Sequence, residues 1–153
     1  ALPIFAMLLN VKKINQIDNF KNFKFFDENI FLYLENDDFC KRLVNHNEEI
    51  YVVPKSKINH LGGKAVSQKF SEEVELSRNW HWIWSKFYFN RKHKGYFFAL
   101  INGLPTFISA VLKYVLYLAI FNPKKSKIYL HRAMGYLNAA IGRKSFFRPN
   151  IKI

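Results

Sequence analysis

Apolar positions fall into two regimes along the chain. Up to about residue 70 they come as short runs with mixed spacing. Leu2–Leu9 is a continuous apolar run that reads as a buried strand. Val11, Ile14, Ile17 and Phe20 then fall at helical spacing, and Asn10 is a natural N-cap for them. Asp27-Glu28-Asn29 reads as a turn, and Ile30–Leu34 as a short strand or extended piece. A helix capped by Asn36 or Asp37 and running to about Asn45 follows, with Phe39, Leu43 and Val44 turned inward. Ile50–Val53 is a β-branched strand stopped by Pro54, and Ile58-Asn59-His60 is a further extended piece closed by Gly62-Gly63.

From Ser71 onward the period is helical. Leu76, Trp80, Ile83, Trp84 and Phe87 recur at steps of three and four, giving a helix that ends near His93–Gly95. Phe97–Phe121 is 25 residues with one charge, Lys113. Within it Asn102, Thr106, Ser109 and Lys113 form one narrow polar stripe, so the segment reads as an amphipathic helix with Pro105 in its first turn. A third helix is expected over Lys125–Ile141, ended by Gly142. The two regimes give an α/β region over residues 1–70 followed by a helical region over 71–153.

Charge divides at nearly the same place. The chain carries +13 overall. Residues 1–75 hold all 11 acids against 10 Lys/Arg, net −1; residues 76–153 hold the other 14 bases and no acid, net +14. A basic, aromatic half of this kind calls for an anionic partner. The run RNWHWIWSKFYFNRKHK mixes bases with aromatics, which suits stacking on nucleobases or a bilayer interface. The nearly uncharged segment that follows does not belong in a nucleic-acid groove, which favours an anionic membrane surface and no nucleic acid. That segment is long enough, at about 1.5 Å per residue, for a ~30 Å hydrocarbon core. Both of its flanks are basic, RKHK (91–94) and KKSK (124–127), and its polar stripe favours lying in the interface over spanning it.

The acids cluster in turn. Asp27, Glu28, Glu35, Asp37 and Asp38 fall within twelve positions, interleaved with large apolar residues. A buried segment that delivers Glu35, Asp37 and Asp38 to a cleft would suit acid/base or metal chemistry; a helix N-cap with solvated acids is the plainer alternative. His60, ahead of two glycines, is a candidate metal ligand or a loop histidine beside a turn. His46, His81, His93 and His131 show no ligand spacing and read as surface or interface residues. The single Cys40 excludes an internal disulfide, fits a reducing compartment and reads as a buried structural thiol. No Gly-rich phosphate loop and no Asp-x-Asp pair occurs.

The string FFDENIFLYLENDDFCKR, followed by IYVVPKSKINHLGG, resembles the second half of the catalytic domain of family 2 glycosyltransferases, in particular the bacterial rhamnosyltransferase-like subgroup. The opening LPIFAMLLNVKKI and the tail SFFRP resemble the flanking segments of that subgroup. The resemblance implies the C-terminal, acceptor-side half of a GT-A fold. It further implies an inverting transfer of a sugar, such as rhamnose, from a nucleotide-diphosphate donor to a lipid-linked or polysaccharide acceptor. The place is the cytoplasmic face of the bacterial inner membrane. A divalent metal, Mg or Mn, is expected, with its main motif upstream of Ala1 and His60 near the metal and diphosphate. Glu35, Asn36 and Asp38 align with the family's acidic motif. Its usual base is Asn36 here, which cannot take a proton, so Asp37 and Glu35 are the alternatives beside Asp38. Asn36, Arg78 and Trp80 are the expected acceptor-binding residues. A non-enzymatic basic adaptor of the membrane surface is the competing expectation, and a single-stranded nucleic-acid binder the third.

Overall fold

The three C-terminal helices form where a 3.6-residue apolar period is punctuated by residues that start and stop a helix. In the computed structural model, which describes residues 7–17, 20, 21, 25–59 and 68–149, five helices are present. These are α1 (Val11–Ile14), α2 (Glu35–Asn45), α3 (Ser71–Lys94), α4 (Tyr96–Ala119) and α5 (Pro123–Ala140). Contacts divide the chain into two compact units. One comprises residues 1–28 and 35–65, the other residues 29–34 and 66–153.

In the second unit α3, α4 and α5 pack on one another. Gly95 separates α3 from α4 at φ 91°, a left-handed angle that side chains rarely adopt. Asn122 caps α5 by accepting from the Lys125 N–H, and Pro123 occupies its first turn, where no N–H is needed. Gly142 follows α5 at φ 76°. The core between the helices is Trp80, Ile83, Trp84, Phe87, Ala99, Tyr136 and Ala139. Small residues set how closely the helices approach: a Cβ on Gly135 would lie 2.5 Å from the Trp80 carbonyl oxygen. Tyr136 donates to the Leu100 carbonyl at 2.8 Å, and burial raises its phenol above the ordinary value.

His81 is fully buried in this unit, and its neighbours define its tautomer. The Phe147 carbonyl lies 2.7 Å from Nε2 and can only accept, so Nε2 carries the proton. Nδ1 then accepts from the Ser145 hydroxyl at 3.1 Å. Burial, and the charge of Arg148, lower its pKa below the ordinary histidine value. The same unit includes residues 29–34: Ser85 donates to the Leu32 carbonyl at 2.7 Å, and Phe31 packs on His81 and under the Arg148 guanidinium.

The first unit has a small core of Ile14, Phe20, Phe39 and Leu43, flanked by Met7, Leu9, Ile17, Phe25 and Cys40. Asn10 caps α1 through the Lys13 N–H.

The structure corrects several expectations. Among the described residues there is no strand, so the α/β half-domain of GT-A type is replaced by helices and irregular chain. Met7–Leu9, Ile30–Leu34 and Ile50–Val53 are all irregular, and Ile50–Val53 is exposed. The physical reason is that β-branched residues favour an extended backbone but a strand needs a neighbour to take its N–H and C=O groups, and none pairs here. The first six residues and His60 lie outside the described residues. The helix expected to run to Phe20 stops as α1 at Ile14, and α2 starts at Glu35, one residue before its expected cap. Val44 is half exposed and does not turn inward. Pro105 sits in the interior of α4, because that helix begins at Tyr96, directly after Gly95. His81 is a core residue, not a surface one.

Candidate functional site

Glu35, Asn36, Asp37 and Asp38 share the first turn of α2, where carboxylates complement the helix dipole. Just before it, Tyr33 and Leu34 both hold φ 67°, a left-handed pair without glycine that costs about 1–2 kcal/mol per residue. The four site residues differ in their partners. Asp38 is completely buried and pairs with Arg42 one turn on, Oδ2 to Nε at 2.9 Å. Arg42 also donates to the Phe25 carbonyl and lies over the Phe20 ring at 4.5 Å. Asp38 is thereby tied into the core of its unit. Asp37 and Glu35 carry no ion pair among the described residues, and Glu35 Oε2 is buried with no hydrogen-bond partner among them.

Cys40 is half buried, and its thiol is raised by burial and by the neighbouring charge of Asp37. It is therefore the reverse of an activated nucleophile. Arg78 and Trp80 belong to the helical unit, on α3. Arg78 is exposed, whereas Trp80 is fully enclosed, stacked between Trp84 and Phe147. No three His, Cys, Asp or Glu side chains among the described residues stand close enough to hold a metal ion. The metal motif was expected upstream of Ala1, and His60, its expected neighbour, lies outside the described residues.

The helical unit presents two further features. The first is the outer face of α4, which is long and apolar enough to cross a membrane. Phe97, Ile101, Leu104, Ile108, Leu112 and Val115 form a stripe at steps of three and four, and all are exposed; Phe97 is 76% exposed and Ile101 70%. The opposite face, with Ala99, Gly103, Phe107 and Ala110, turns toward the unit's interior.

The second is a cavity of about 280 Å³ lined by Pro105, Thr106, Ser109 and Ala110 of α4 and by Tyr129 and Arg132 of α5. Thr106 and Ser109 belong to the polar stripe legible in the sequence. Their α5 counterparts were not legible, since nothing local announces which residues of another helix will face them. Arg132 Nε donates to Asn79 Oδ1 at 2.9 Å, which fixes the guanidinium plane. Its carbon lies 5.7 Å from the Tyr129 ring centre, and Lys113 Nζ stands 5.3 Å from the same ring. Tyr129 stacks on Tyr117, which in turn carries Lys125 at 5.2 Å. Comparison with known proteins returns no matching family model, no matching curated protein and no matching solved structure.

Proposed function

We propose that the chain acts at a membrane surface in nucleotide-sugar-dependent glycosyl transfer. The surface in question is the cytoplasmic face of a bacterial inner membrane, where a free Cys40 stays reduced. The observation that carries the membrane half of this reading is the outward apolar stripe of α4. Away from that stripe α4 is packed by α5, which bears Lys124, Lys125, Lys127 and Arg132. A spanning α4 would draw those charges into hydrocarbon, at roughly 2.5–3.5 kcal/mol each. An in-plane α4 buries its stripe and leaves the basic residues at the headgroups.

The transferase half rests on the acidic segment and its partners. With Asp38 held by Arg42 and Asn36 unable to take a proton, Asp37 is the base of this reading. It accepts the proton of an acceptor hydroxyl as that oxygen bonds to the anomeric carbon and the bond to the nucleotide diphosphate breaks. The attack from the opposite side inverts the anomeric centre. Glu35 orients the acceptor beside it.

Sugar transfer by the full-length protein, from a panel of nucleotide sugars to a lipid-linked acceptor, tests both residues. Asp37→Asn lowers turnover by about 10²–10⁴-fold with donor binding retained, the usual contribution of a general base. Asp38→Asn lowers stability and leaves the turnover of the folded protein near wild type. Wild-type turnover in Asp37→Asn removes the base assignment, and no transfer by the wild-type protein from any donor leaves the basic membrane adaptor as the better reading.

A further inference from the structure

The cavity between α4 and α5 has the chemistry of a phosphate site. Two cations approach it, Arg132 in its wall and Lys113 across the Tyr129 ring, and neither is ion-paired among the described residues. No carboxylate lines it, and residues 76–153 contain none. Thr106 and Ser109 bring hydroxyl donors from one wall, and Tyr129 a ring and a phenol from the other.

Two cations 5.3 and 5.7 Å from one ring centre and without an acid between them repel one another, and a bound anion relieves that repulsion. The guanidinium is arranged for it. Asn79 occupies Nε, and no hydrogen bond from Nη1 or Nη2 is present among the described residues. Those two groups form the edge of the fork that holds phosphate in bidentate fashion.

Size narrows the ligand. About 280 Å³ lies just below the ~300–1,000 Å³ of sites that enclose drug-sized molecules, so it admits a phosphate-bearing headgroup and not a whole nucleotide sugar. Position narrows it again. Pro105 and Ser109 lie on the flank of α4 next to Leu112 of the exposed stripe, and Thr106 lies on the inward side. A phosphate held beside Pro105 and Ser109 is therefore adjacent to the edge of that stripe.

We propose that the α4–α5 cavity binds the phosphate group of a membrane lipid headgroup, with Arg132 and Lys113 as its cations and Ser109 and Thr106 as neutral donors. This rests on the in-plane membrane reading of α4. Free phosphate is the other source of the same chemistry.

Flotation of the whole chain with vesicles separates the possibilities. Binding to neutral phosphatidylcholine vesicles reads the docking of α4 alone. The added binding when phosphatidic acid is included reads the cavity. Arg132→Gln, and Ser109→Leu, which fills the cavity without removing charge, should each cut that increment by roughly tenfold or more. Arg132→Lys should recover only part of it, because an ammonium has no fork. Lys124→Gln removes an equal charge on α5 outside the cavity and should cost far less. Equal losses in Arg132→Gln and Lys124→Gln, or an unchanged increment in Ser109→Leu, overturn the site while leaving membrane docking in place. Wild-type chain that floats with neither vesicle overturns the membrane reading and the lipid site with it. Calorimetry with inorganic diphosphate in the absence of vesicles decides the source. Weak binding there supports a lipid ligand, and binding as tight as that to phosphatidic acid overturns it in favour of free phosphate.

Discussion

Replacing Gly135 with alanine tests the close approach of α3 and α5. On an isolated helix the change stabilises by about 0.8–1 kcal/mol. Here the new Cβ would stand 2.5 Å from the Trp80 carbonyl oxygen, 3.3 Å from its carbonyl carbon and 3.4 Å from its Cα. All three are backbone atoms of another helix, so no side-chain rotation relieves the contact. The shortest ordinary C···O contacts are about 3.3 Å, so the helices must part locally by roughly 0.8 Å. That opens the seam formed by Trp80, Ile83, Trp84, Tyr136 and Ala139. Overpacking of this kind costs about 1–3 kcal/mol against that propensity gain, and the net expectation is a destabilisation of up to about 2 kcal/mol. All three tryptophans of the chain lie in α3, so urea unfolding followed by tryptophan fluorescence reports directly on the seam. A lower midpoint at unchanged slope is expected. A Gly135→Ala protein more stable than wild type would refute the reasoning, since it would mean the helices do not meet at that carbonyl.

Two other perturbations follow from the same unit. His81 is depressed in the folded state, so the unfolded chain takes up the proton first as pH falls. Its contribution is fully present above the ordinary histidine value of about 6.5 and is lost as pH falls below it through the folded value. Urea midpoints between neutral pH and pH 5 should therefore fall in the wild type, and the His81 ring should stay neutral by NMR at a pH where the same imidazole in the unfolded chain is already charged. A His81 that titrates at or above the ordinary value contradicts this. The tryptophan pair differs in hydrogen bonding. Trp84 Nε1 donates to the Arg143 carbonyl at 3.0 Å, whereas buried Trp80 Nε1 has no acceptor among the described residues. Trp84→Phe should cost about 1 kcal/mol more than Trp80→Phe, because it breaks a bond while the other removes an unmet donor. The reverse order of urea midpoints would place an acceptor at Trp80.

The helical half was legible because its information is local. A helix satisfies its backbone within four residues, so the three- and four-residue steps of Leu76 to Phe87 and the glycines at 95 and 142 were sufficient to place α3, α4 and α5 to within a few residues, although α5 starts at Pro123 and not at Lys125. The apolar length of α4, its polar stripe and the acid-free character of residues 76–153 were equally plain. The first-turn placement of Pro105 was wrong on spacing alone, since even from Phe97 it lies more than two turns into the helix.

What local pattern could not decide was anything that depends on a partner distant in sequence. Ile50–Val53 has strand propensity, but a strand exists only where a second one pairs with it, and among the described residues none does. Asp37 and Asp38 are adjacent and chemically identical in the sequence. The i,i+4 spacing to Arg42 is local, but only the fold buries Asp38 completely and sets Arg42 over the Phe20 ring and against the Phe25 carbonyl. His81 looked like one more base in an aromatic run until Ser145 and Phe147, more than sixty residues away, closed over it. Thr106 and Ser109 became one wall of a cavity because the α4–α5 hairpin sets Tyr129 and Arg132 opposite them. Sequence determines which backbone segments can satisfy themselves. Burial, charge pairing and cavities arise between segments, and the tertiary structure decides them.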